Sequence, residues 1–486
     1  MNSTRGGLFF SLSERYLLIA IQLASGMILA RLLTPEEIGI YSVSLAVIGV
    51  AQVLRDFGIG SFIIQAQHLS ERHIRTAFGF SLLLGATLFL TIFSLAPIAG
   101  VFYDDDRIVH TMRISSINFL ILPFCSISIS LLRRNMLFKR LALVAVISSL
   151  IGFIVGVSLA LKGFGPNSMA LGAVASNTTT GILAWLARTD RKLLMPGLSE
   201  WREILKFGSQ SSLAGLVSSV SMDINDLALG RILGFAPVAM LSRAQGIMNL
   251  FHRDIMAAIR GVMFPSFAKS HREESSVDAE YIKSVTNITA FAWPFYAFAA
   301  LYADEIIRLM FGTQWNEAAH LVPWFCLAGA FASTWNLILN AVMAVGRIDL
   351  YTKAELVIQP LRATLMVVVA VVFESLTACA IAFFLVYAMS TPFLYWVKGK
   401  CIPTNYTSLR SGLVASASLT LTSMALPALL ISQVPEQREL TETALLVCAG
   451  GALAGLSWLF ALLTFNHPLK FDPIVRRTLA SFHIHK

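Results

Sequence analysis

Charged residues are scarce in this chain of 486 residues. Asp, Glu, Lys and Arg together make up 13% of it, whereas an average soluble domain has about 25%. Hydrophobic residues reach 56%, and the mean hydropathy is +0.71. So few charged groups do not cover the water-facing surface of a soluble protein. The composition therefore excludes a soluble enzyme, a disordered chain and a nucleic-acid-binding protein, and it predicts an integral membrane protein with many spans.

Cysteine is also rare, and sequence motifs for metals and nucleotides are missing. The five cysteines are scattered, without a Cys-x-x-Cys pair or a nearby His, so we expect no disulfide framework and no metal site. A P-loop, an HExxH motif and a nucleophile elbow are absent, so we expect no cofactor and no ATP motor. The short loops leave no room for a catalytic domain. We therefore expect that the protein is not an enzyme; the alternative is catalysis inside the bilayer.

Long apolar stretches fill most of the chain. A membrane-spanning helix needs about 20 mostly apolar residues, and only helices or closed barrels satisfy their backbone groups in lipid. The fold class we expect is an all-α membrane protein with about 14 transmembrane helices. The candidate spans cover roughly residues 10–32, 38–60, 78–102, 110–131, 141–162, 168–188, 208–232, 237–262, 284–303, 318–345, 355–373, 376–397, 411–432 and 442–465.

The distribution of charge predicts the orientation. The net charge is +9, and Lys and Arg collect on the cytoplasmic side of membrane proteins. Basic clusters such as Arg133-Arg134 fall in every second loop, whereas the acidic run 104–106 falls in a loop of the opposite set. We therefore expect both termini to lie in the cytoplasm.

A weak internal repeat suggests two related halves. Residues 30–33 match residues 230–233 at an offset of 200 residues, and chance similarity in an apolar sequence is the alternative. Inverted or parallel repeats are a common plan for transporters, with the substrate path between the halves. We expect two pseudo-symmetric six-helix lobes, at 1–195 and 196–400, followed by a helix pair and cytoplasmic tail at 401–486.

Acidic residues in the seventh span form one candidate site. Asp223 and Asp226 are three residues apart and share a helical face, with Asn225 nearby. Two carboxylates inside a membrane repel each other unless a cation or a proton lies between them. The functional hypothesis is therefore coupling to protons or sodium ions. The alternative is a structural ion pair with Arg243 or with another basic residue across the cavity.

Arginines in the spans form the second candidate site. A charge inside the bilayer costs roughly 2.5–3.5 kcal/mol and usually faces a cavity or a partner. On an ideal α-helix, Arg253 and Arg260 lie within roughly 20° of each other, with Arg243 about 80° from Arg253. Guanidinium groups bind phosphate through two parallel hydrogen bonds. The substrate-binding candidates are Arg113, Arg243, Arg253 and Arg15, although snorkelling to the headgroups is the alternative for Arg15 and Arg260. Other polar residues in spans are His252, Glu355, Gln359 and Arg362.

Residues 30–41, ARLLTPEEIGIY, resemble the ARxLxPxxxGxY loop motif of bacterial polysaccharide flippases. Residues 56–65, DFGIGSFIIQ, resemble the next stretch of that family. Weaker matches are residues 132–138, 207–208 and 264–265. The chain thus resembles the polysaccharide transporter branch of the multidrug/oligosaccharidyl-lipid/polysaccharide exporter superfamily, over about residues 9–350.

The resemblance implies alternating access by two six-helix lobes and a cargo of undecaprenyl-diphosphate-linked oligosaccharide. It therefore implies a flippase that moves repeat units of an exopolysaccharide, capsule or O-antigen from the cytoplasmic to the periplasmic leaflet. The expected partners are this glycan, the lipid bilayer, and a polysaccharide polymerase with a chain-length regulator; we expect no nucleic acid. The alternatives are a lipid II flippase or a multidrug extruder of the same superfamily. An alternative of a different class is an intramembrane polymerase or ligase that acts on the same lipid-linked sugars.

Overall fold

The computed structural model describes residues 2–56, 58–190, 195–199, 201–202, 205, 225–435, 439–465 and 467–471. Within these ranges every regular element is a helix, as the sequence predicted. The chain divides into two compact units, Met1–Ala239 and Met240–Lys486. The predicted boundaries after residues 195 and 400 stay a prediction. The predicted added pair corresponds to the helices Tyr406–Ser432 and Leu440–Thr464, which pack on the helix Val277–Leu301 within the second unit.

The first unit contains nine helices in the described residues, and a tenth begins near its end. They are α1 Asn2–Leu32, α2 Pro35–Asp56, α3 Ile59–Gln65, α4 Glu71–Tyr103, α5 Asp106–Ser116, α6 Asn118–Arg134, α7 Phe138–Leu161, α8 Pro166–Ala187, α9 225–232 and α10 Phe235–Asn249. In this unit α7 packs on α8 and α1, and α4 packs on α5 and α6.

The second unit continues α10 through a π-helical turn. Its other helices are α11 Met256–Arg272, α12 Val277–Leu301, α13 Ala303–Phe311, α14 Asn316–Ala319, α15 Val322–Trp335, α16 Ile338–Ala344, α17 Ile348–Phe373, α18 Leu376–Gly399, α19 Tyr406–Ser432 and α20 Leu440–Thr464. The π-helix spans Leu250–Ile255, and two short 3-10 helices span Thr313–Trp315 and Pro468–Phe471.

Eight stretches of the described chain are helical, long and apolar enough to cross a membrane. They are Glu71–Tyr103, Asp106–Arg134, Phe138–Leu161, Val322–Ala344, Ile348–Phe373, Leu376–Gly399, Tyr406–Ser432 and Leu440–Thr464. A shorter apolar helix covers Tyr16–Leu32. The chain is therefore a multi-pass membrane protein, and the expected count of fourteen spans stays a prediction.

Side-chain contacts near the helix ends show which ends lie together in the first unit. At one end, Arg107 Nη2 donates to Glu36 Oε1 at 2.5 Å, which joins the first turn of α5 to the first turn of α2. At the other end, Arg134 Nη1 donates to the carbonyl of Ile63 at 2.7 Å and Arg140 Nη1 donates to the carbonyl of Ala187 at 2.5 Å. The helix ends in the first unit are thus grouped at two opposite ends, as expected when consecutive helices cross the membrane in alternating directions.

Local helix geometry explains several residues in the segment 30–41. Thr34 accepts a hydrogen bond from the Glu37 amide at 3.2 Å, and the Glu37 carboxylate accepts one from the Thr34 amide at 2.8 Å. This reciprocal pair is a capping box, and Pro35 occupies the first helical position, where its missing N–H costs nothing. A Cβ atom on Gly39 would lie 1.9 Å from the carbonyl oxygen of Phe235. The motif therefore starts α2 and lets its backbone touch the start of α10.

A buried ion pair fastens α18 to α12 in the second unit. The Lys398 side chain is 0% exposed, and its ammonium donates to Asp278 Oδ1 at 2.5 Å and to Thr404 Oγ1 at 2.9 Å. The same ammonium lies 4.7 Å from the centre of the Tyr281 ring. The second carboxylate oxygen of Asp278 accepts the Asn405 amide at 2.9 Å. Both charges are thus surrounded by partners, as buried ions require.

His467 anchors the segment after α20. It is 0% exposed, and its Nδ1 accepts the Leu469 amide at 3.1 Å. Nε2 therefore carries the proton and lies 3.1 Å from Ser416 Oγ on α19. Burial lowers the pKa of His467, because the imidazolium form loses its hydration there. A protonated ring also no longer accepts the Leu469 hydrogen bond.

We expect this arrangement to make the protein less stable in acid. The pKa of His467 is lower in the folded than in the unfolded chain, so its contribution is present above the unfolded value of about 6.5 and is lost as the pH falls below it. Thermal unfolding of the detergent-purified protein at pH 7.5 and pH 5.5 measures the effect. His467→Gln should narrow the difference between the two melting temperatures. An unchanged difference would assign the acid sensitivity to other groups.

Candidate functional site

Arg113 lies near the end of α5, four residues before the helix break at Ile117. Its guanidinium stacks over the Phe93 ring of α4 at 4.8 Å from the ring centre. The Nε atom is buried without a hydrogen-bond partner. Among the described residues no carboxylate forms an ion pair with it. One donor of this charged group therefore has no partner among the described residues.

Arg243 lies on α10 in a comparable environment of the second unit. Its guanidinium is 5.2 Å from the centre of the Phe311 ring and 5.3 Å from that of Trp315. Both rings belong to the short elements that follow α12. The Arg243 Nε is also buried without a hydrogen-bond partner, and no described carboxylate forms an ion pair with it. The aromatic faces hold the guanidinium flat and stabilise its charge without occupying its hydrogen-bond donors.

Arg253 differs from these two arginines because it lies in the π-helical turn Leu250–Ile255. Its side chain is 69% exposed and pairs with the neighbouring Asp254 at 3.1 Å. A π-helical turn is wider than an α-helical one, so the predicted angles between Arg243, Arg253 and Arg260 do not apply. Arg260 instead donates to Asn336 Oδ1 at 2.6 Å. The three arginines have three separate environments.

The remaining candidates are only partly described. The backbone of Arg15 lies in α1, but its side chain is outside the described residues, and so is Asp223. Asn225 and Asp226 are the first described residues of α9, and both are half-buried. The Asn225 Oδ1 atom is buried without a hydrogen-bond partner. Ion coupling at these residues stays a prediction.

A polar cluster in the second unit was not assigned from the sequence. It joins Arg260, Asn336 and His252 by hydrogen bonds and places Arg362 and Tyr387 beside them. His252 and Arg362 were recognised as polar residues within spans. Asn336 and Tyr387 gave no signal, because their role depends on contacts between helices that are far apart in the sequence.

The described part of the chain contains no set of side chains that could bind a metal ion. No group of three His, Cys, Asp or Glu side chains there is placed to hold a metal ion. The five cysteines carry no disulfide. The chemistry that the described arginines do offer is hydrogen bonding to an anion, because each guanidinium keeps its charge and directs several donors.

The sequence matches a known family and several relatives. Residues 28–320, more than half of the chain, match the family described as polysaccharide biosynthesis protein. The lipopolysaccharide biosynthesis protein WzxC of Escherichia coli (strain K12) is 24% identical over 356 residues, which are 72% of each chain. The teichuronic acid biosynthesis protein TuaB of Bacillus subtilis (strain 168) is 24% identical over 62% of each chain. The succinoglycan biosynthesis transport protein ExoT of Rhizobium meliloti (strain 1021) is 23% identical over 66% of this chain and 65% of its own.

Solved structures share the fold. The lipid II flippase MurJ in an inward closed conformation superposes with a TM-score of 0.76 at 12% identity, covering 97% of this chain and all of that one. An inward-facing multidrug resistance MATE family transporter of the MOP superfamily has a TM-score of 0.61 at 16% identity, covering 83% of this chain and 99% of its own. At these identities the likeness concerns the fold alone. The chain belongs to the family described as polysaccharide biosynthesis protein.

Proposed function

We propose that the protein is a flippase for undecaprenyl-diphosphate-linked oligosaccharide repeat units of an exopolysaccharide, capsule or O-antigen. It moves them by alternating access from the cytoplasmic to the periplasmic leaflet of the bacterial inner membrane, with both termini in the cytoplasm. The family match over residues 28–320 carries the proposal, and relatives named for lipopolysaccharide, teichuronic acid and succinoglycan support it. The chain acts as a transporter and catalyses no covalent reaction.

The arginines suit the part of this cargo that crosses hydrocarbon least easily. A diphosphate carries its charge on oxygens that accept hydrogen bonds, and guanidinium donors replace the water that the diphosphate loses. Arg113 and Arg243 each keep a buried donor without a partner. We assign diphosphate contact to these two residues, with Arg253 and Arg15 as further contacts. We assign coupling to a proton or sodium gradient to Asp223, Asp226 and Asn225. A polysaccharide polymerase and a chain-length regulator would use the delivered repeat units.

The test is a strain that lacks the gene, with and without a plasmid copy. We expect the deletion strain to lose surface polymer and to accumulate undecaprenyl-diphosphate-linked single repeat units. A membrane-impermeant lectin added to spheroplasts should not reach these units, because they remain in the cytoplasmic leaflet. Units that the lectin does reach would indicate lost polymerisation instead. Lysis of the strain would favour the lipid II flippase, and altered drug tolerance with normal polymer would favour the multidrug extruder.

A further inference from the structure

An apolar groove with a volume of about 500 Å³ runs between α6 and α8 in the first unit. Phe124 and Ile182 lie at its surface and are 46% and 55% exposed. Ser128 also lines the groove, and its buried hydroxyl has no hydrogen-bond partner in the described part of the chain. Of the described helices, α6 and α8 alone line this groove, and α6 belongs to a stretch that is apolar enough to cross a membrane.

The second unit contains the same groove at an offset of 210 residues. Its volume is about 530 Å³, and it runs between α15 and α18, with Trp293 of α12 beside it. The matching positions in the two grooves are Leu120 and Ala330, Ile121 and Phe331, Phe124 and Thr334, Gly181 and Thr391, Ile182 and Pro392, and Trp185 and Tyr395.

The backbone confirms this correspondence independently of the groove residues. Met136 and Gly346, which are also 210 residues apart, both have a positive φ, of 55° and 75°. In the next position of each loop, the Leu137 amide donates to the Leu132 carbonyl, and the amide and carbonyl 210 residues further along make the same hydrogen bond, both at 3.0 Å. The two grooves are therefore equivalent surfaces of two related halves.

The groove of the second unit differs in having another helix beside it. Tyr406, Leu409 and Leu413 of α19 line it, and their spacing of three and four residues places them on one helical face. The polar groups there are paired within the unit, since the Tyr395 hydroxyl donates to the Thr334 carbonyl at 2.7 Å. In the first unit no other described helix lines the groove.

We infer that the groove between α6 and α8 binds a membrane-spanning helix of a partner protein, as the equivalent groove holds α19. This helix presents an aromatic residue and two leucines with the spacing of Tyr406, Leu409 and Leu413. It runs antiparallel to α8, because α19 follows α18 in the next span. The inference concerns a partner surface and does not depend on the identity of the cargo.

The Ser128 hydroxyl favours a helix over a lipid chain as the occupant. Serine hydroxyls inside membranes commonly donate across helix interfaces. A carbonyl oxygen has two lone pairs, so a helix carbonyl accepts from Ser128 in addition to its own amide partner. A hydrocarbon chain offers no acceptor and would leave the hydroxyl buried and unpaired, which is costly.

The experiment uses the full chain in nanodiscs of phosphatidylethanolamine and phosphatidylglycerol. The photo-crosslinking residue benzoylphenylalanine replaces Ile182 in one variant and Phe124 in another. The probe is a synthetic peptide with the sequence of α19, residues 406–432. Ile154 is the matched control position, because it is 52% exposed on α7 and does not line the groove. We expect the peptide to crosslink at positions 182 and 124 severalfold more than at position 154.

A second peptide tests the docking face. Its residues corresponding to Tyr406, Leu409 and Leu413 are changed to alanine, which removes the side chains that fill the equivalent groove. Crosslinking at positions 182 and 124 should fall to the level at position 154, since close packing drives helix association in lipid.

Three results would overturn the inference. These are equal peptide crosslinking at positions 182 and 154, adducts with lipid alone at positions 182 and 124, and unchanged crosslinking of the alanine peptide. The two groove positions lie on different helices, so a folding defect in one variant leaves the other informative. In cells, the adduct at position 182 should contain an identified second membrane protein whose spanning helix has this face. An adduct with another copy of the chain would contradict the assignment to a partner protein.

Discussion

Arg243→Ala is expected to reduce surface polymer and to accumulate lipid-linked repeat units in the cytoplasmic leaflet. A hydrogen bond to a charged group contributes about 1.5–3 kcal/mol, which corresponds to roughly a 10- to 150-fold weaker interaction with the diphosphate. The Phe311 and Trp315 rings hold the Arg243 guanidinium in position without occupying the hydrogen-bond donors that make this contact. Quantifying polymer and single repeat units in the complemented deletion strain measures the effect.

Two further variants separate charge from geometry at Arg243. Arg243→Lys keeps a positive charge but not the planar fork of donors, so we expect an intermediate loss. Arg231→Ala is the matched control, because Arg231 also stacks on an aromatic ring, Phe102 at 5.6 Å, but is exposed. It should leave polymer export near the wild-type level. Full export by a well-expressed Arg243→Ala protein would remove Arg243 from the proposed site.

Lys398→Ala is expected to lower the free energy of unfolding by about 3–5 kcal/mol, the usual effect of removing one member of a buried ion pair. The variant leaves the Asp278 carboxylate buried without its cation and deprives the Tyr281 ring of its cation contact. Denaturant unfolding in mixed micelles, followed by tryptophan fluorescence, measures the change. The expected loss of unfolding free energy is large because the Lys398 side chain is fully buried.

An exposed pair in the same unit provides the comparison. Lys269 and Glu273 lie one helical turn apart at 3.7 Å, and their side chains are about two-thirds exposed. Lys269→Ala should change stability by less than about 0.5 kcal/mol, as exposed pairs do. The double variant Lys398→Leu with Asp278→Leu should be less destabilised than Lys398→Ala, because no unpaired charge remains. Equal losses in the lysine variants at positions 398 and 269 would contradict the buried-pair account.

The membrane class, the helical fold and the family follow from the sequence alone. Composition and the length of the apolar stretches determine the class, because lipid leaves few alternatives to helices. Residues 30–41 identified the family, and the structure gives physical reasons for several of its positions. Thr34 and Glu37 cap α2, and the Gly39 backbone touches Phe235. These features are readable because their interactions are local or depend on residue type.

The candidate site was harder to predict from the sequence, because helix geometry and long-range contacts determine it. The prediction of a shared face for Arg253 and Arg260 assumed a regular α-helix, and nothing in the sequence indicated the π-helical turn Leu250–Ile255. The environment of Arg362 depends on helices that are brought together only by folding. The aromatic pair beside Arg243 likewise comes from a segment about 70 residues further along the chain. Polarity indicated which residues are unusual, but not what each one faces.

Two arginine side chains at one end of the first unit each have two roles. Arg134 and Arg140 belong to a basic cluster of the kind that sets the direction of membrane insertion. They also donate to carbonyls in the last turns of α3 and α8, which have no partner within their own helices. The same two arginines therefore contribute to membrane insertion during biosynthesis and to helix packing in the folded protein. A substitution at either position is expected to affect both.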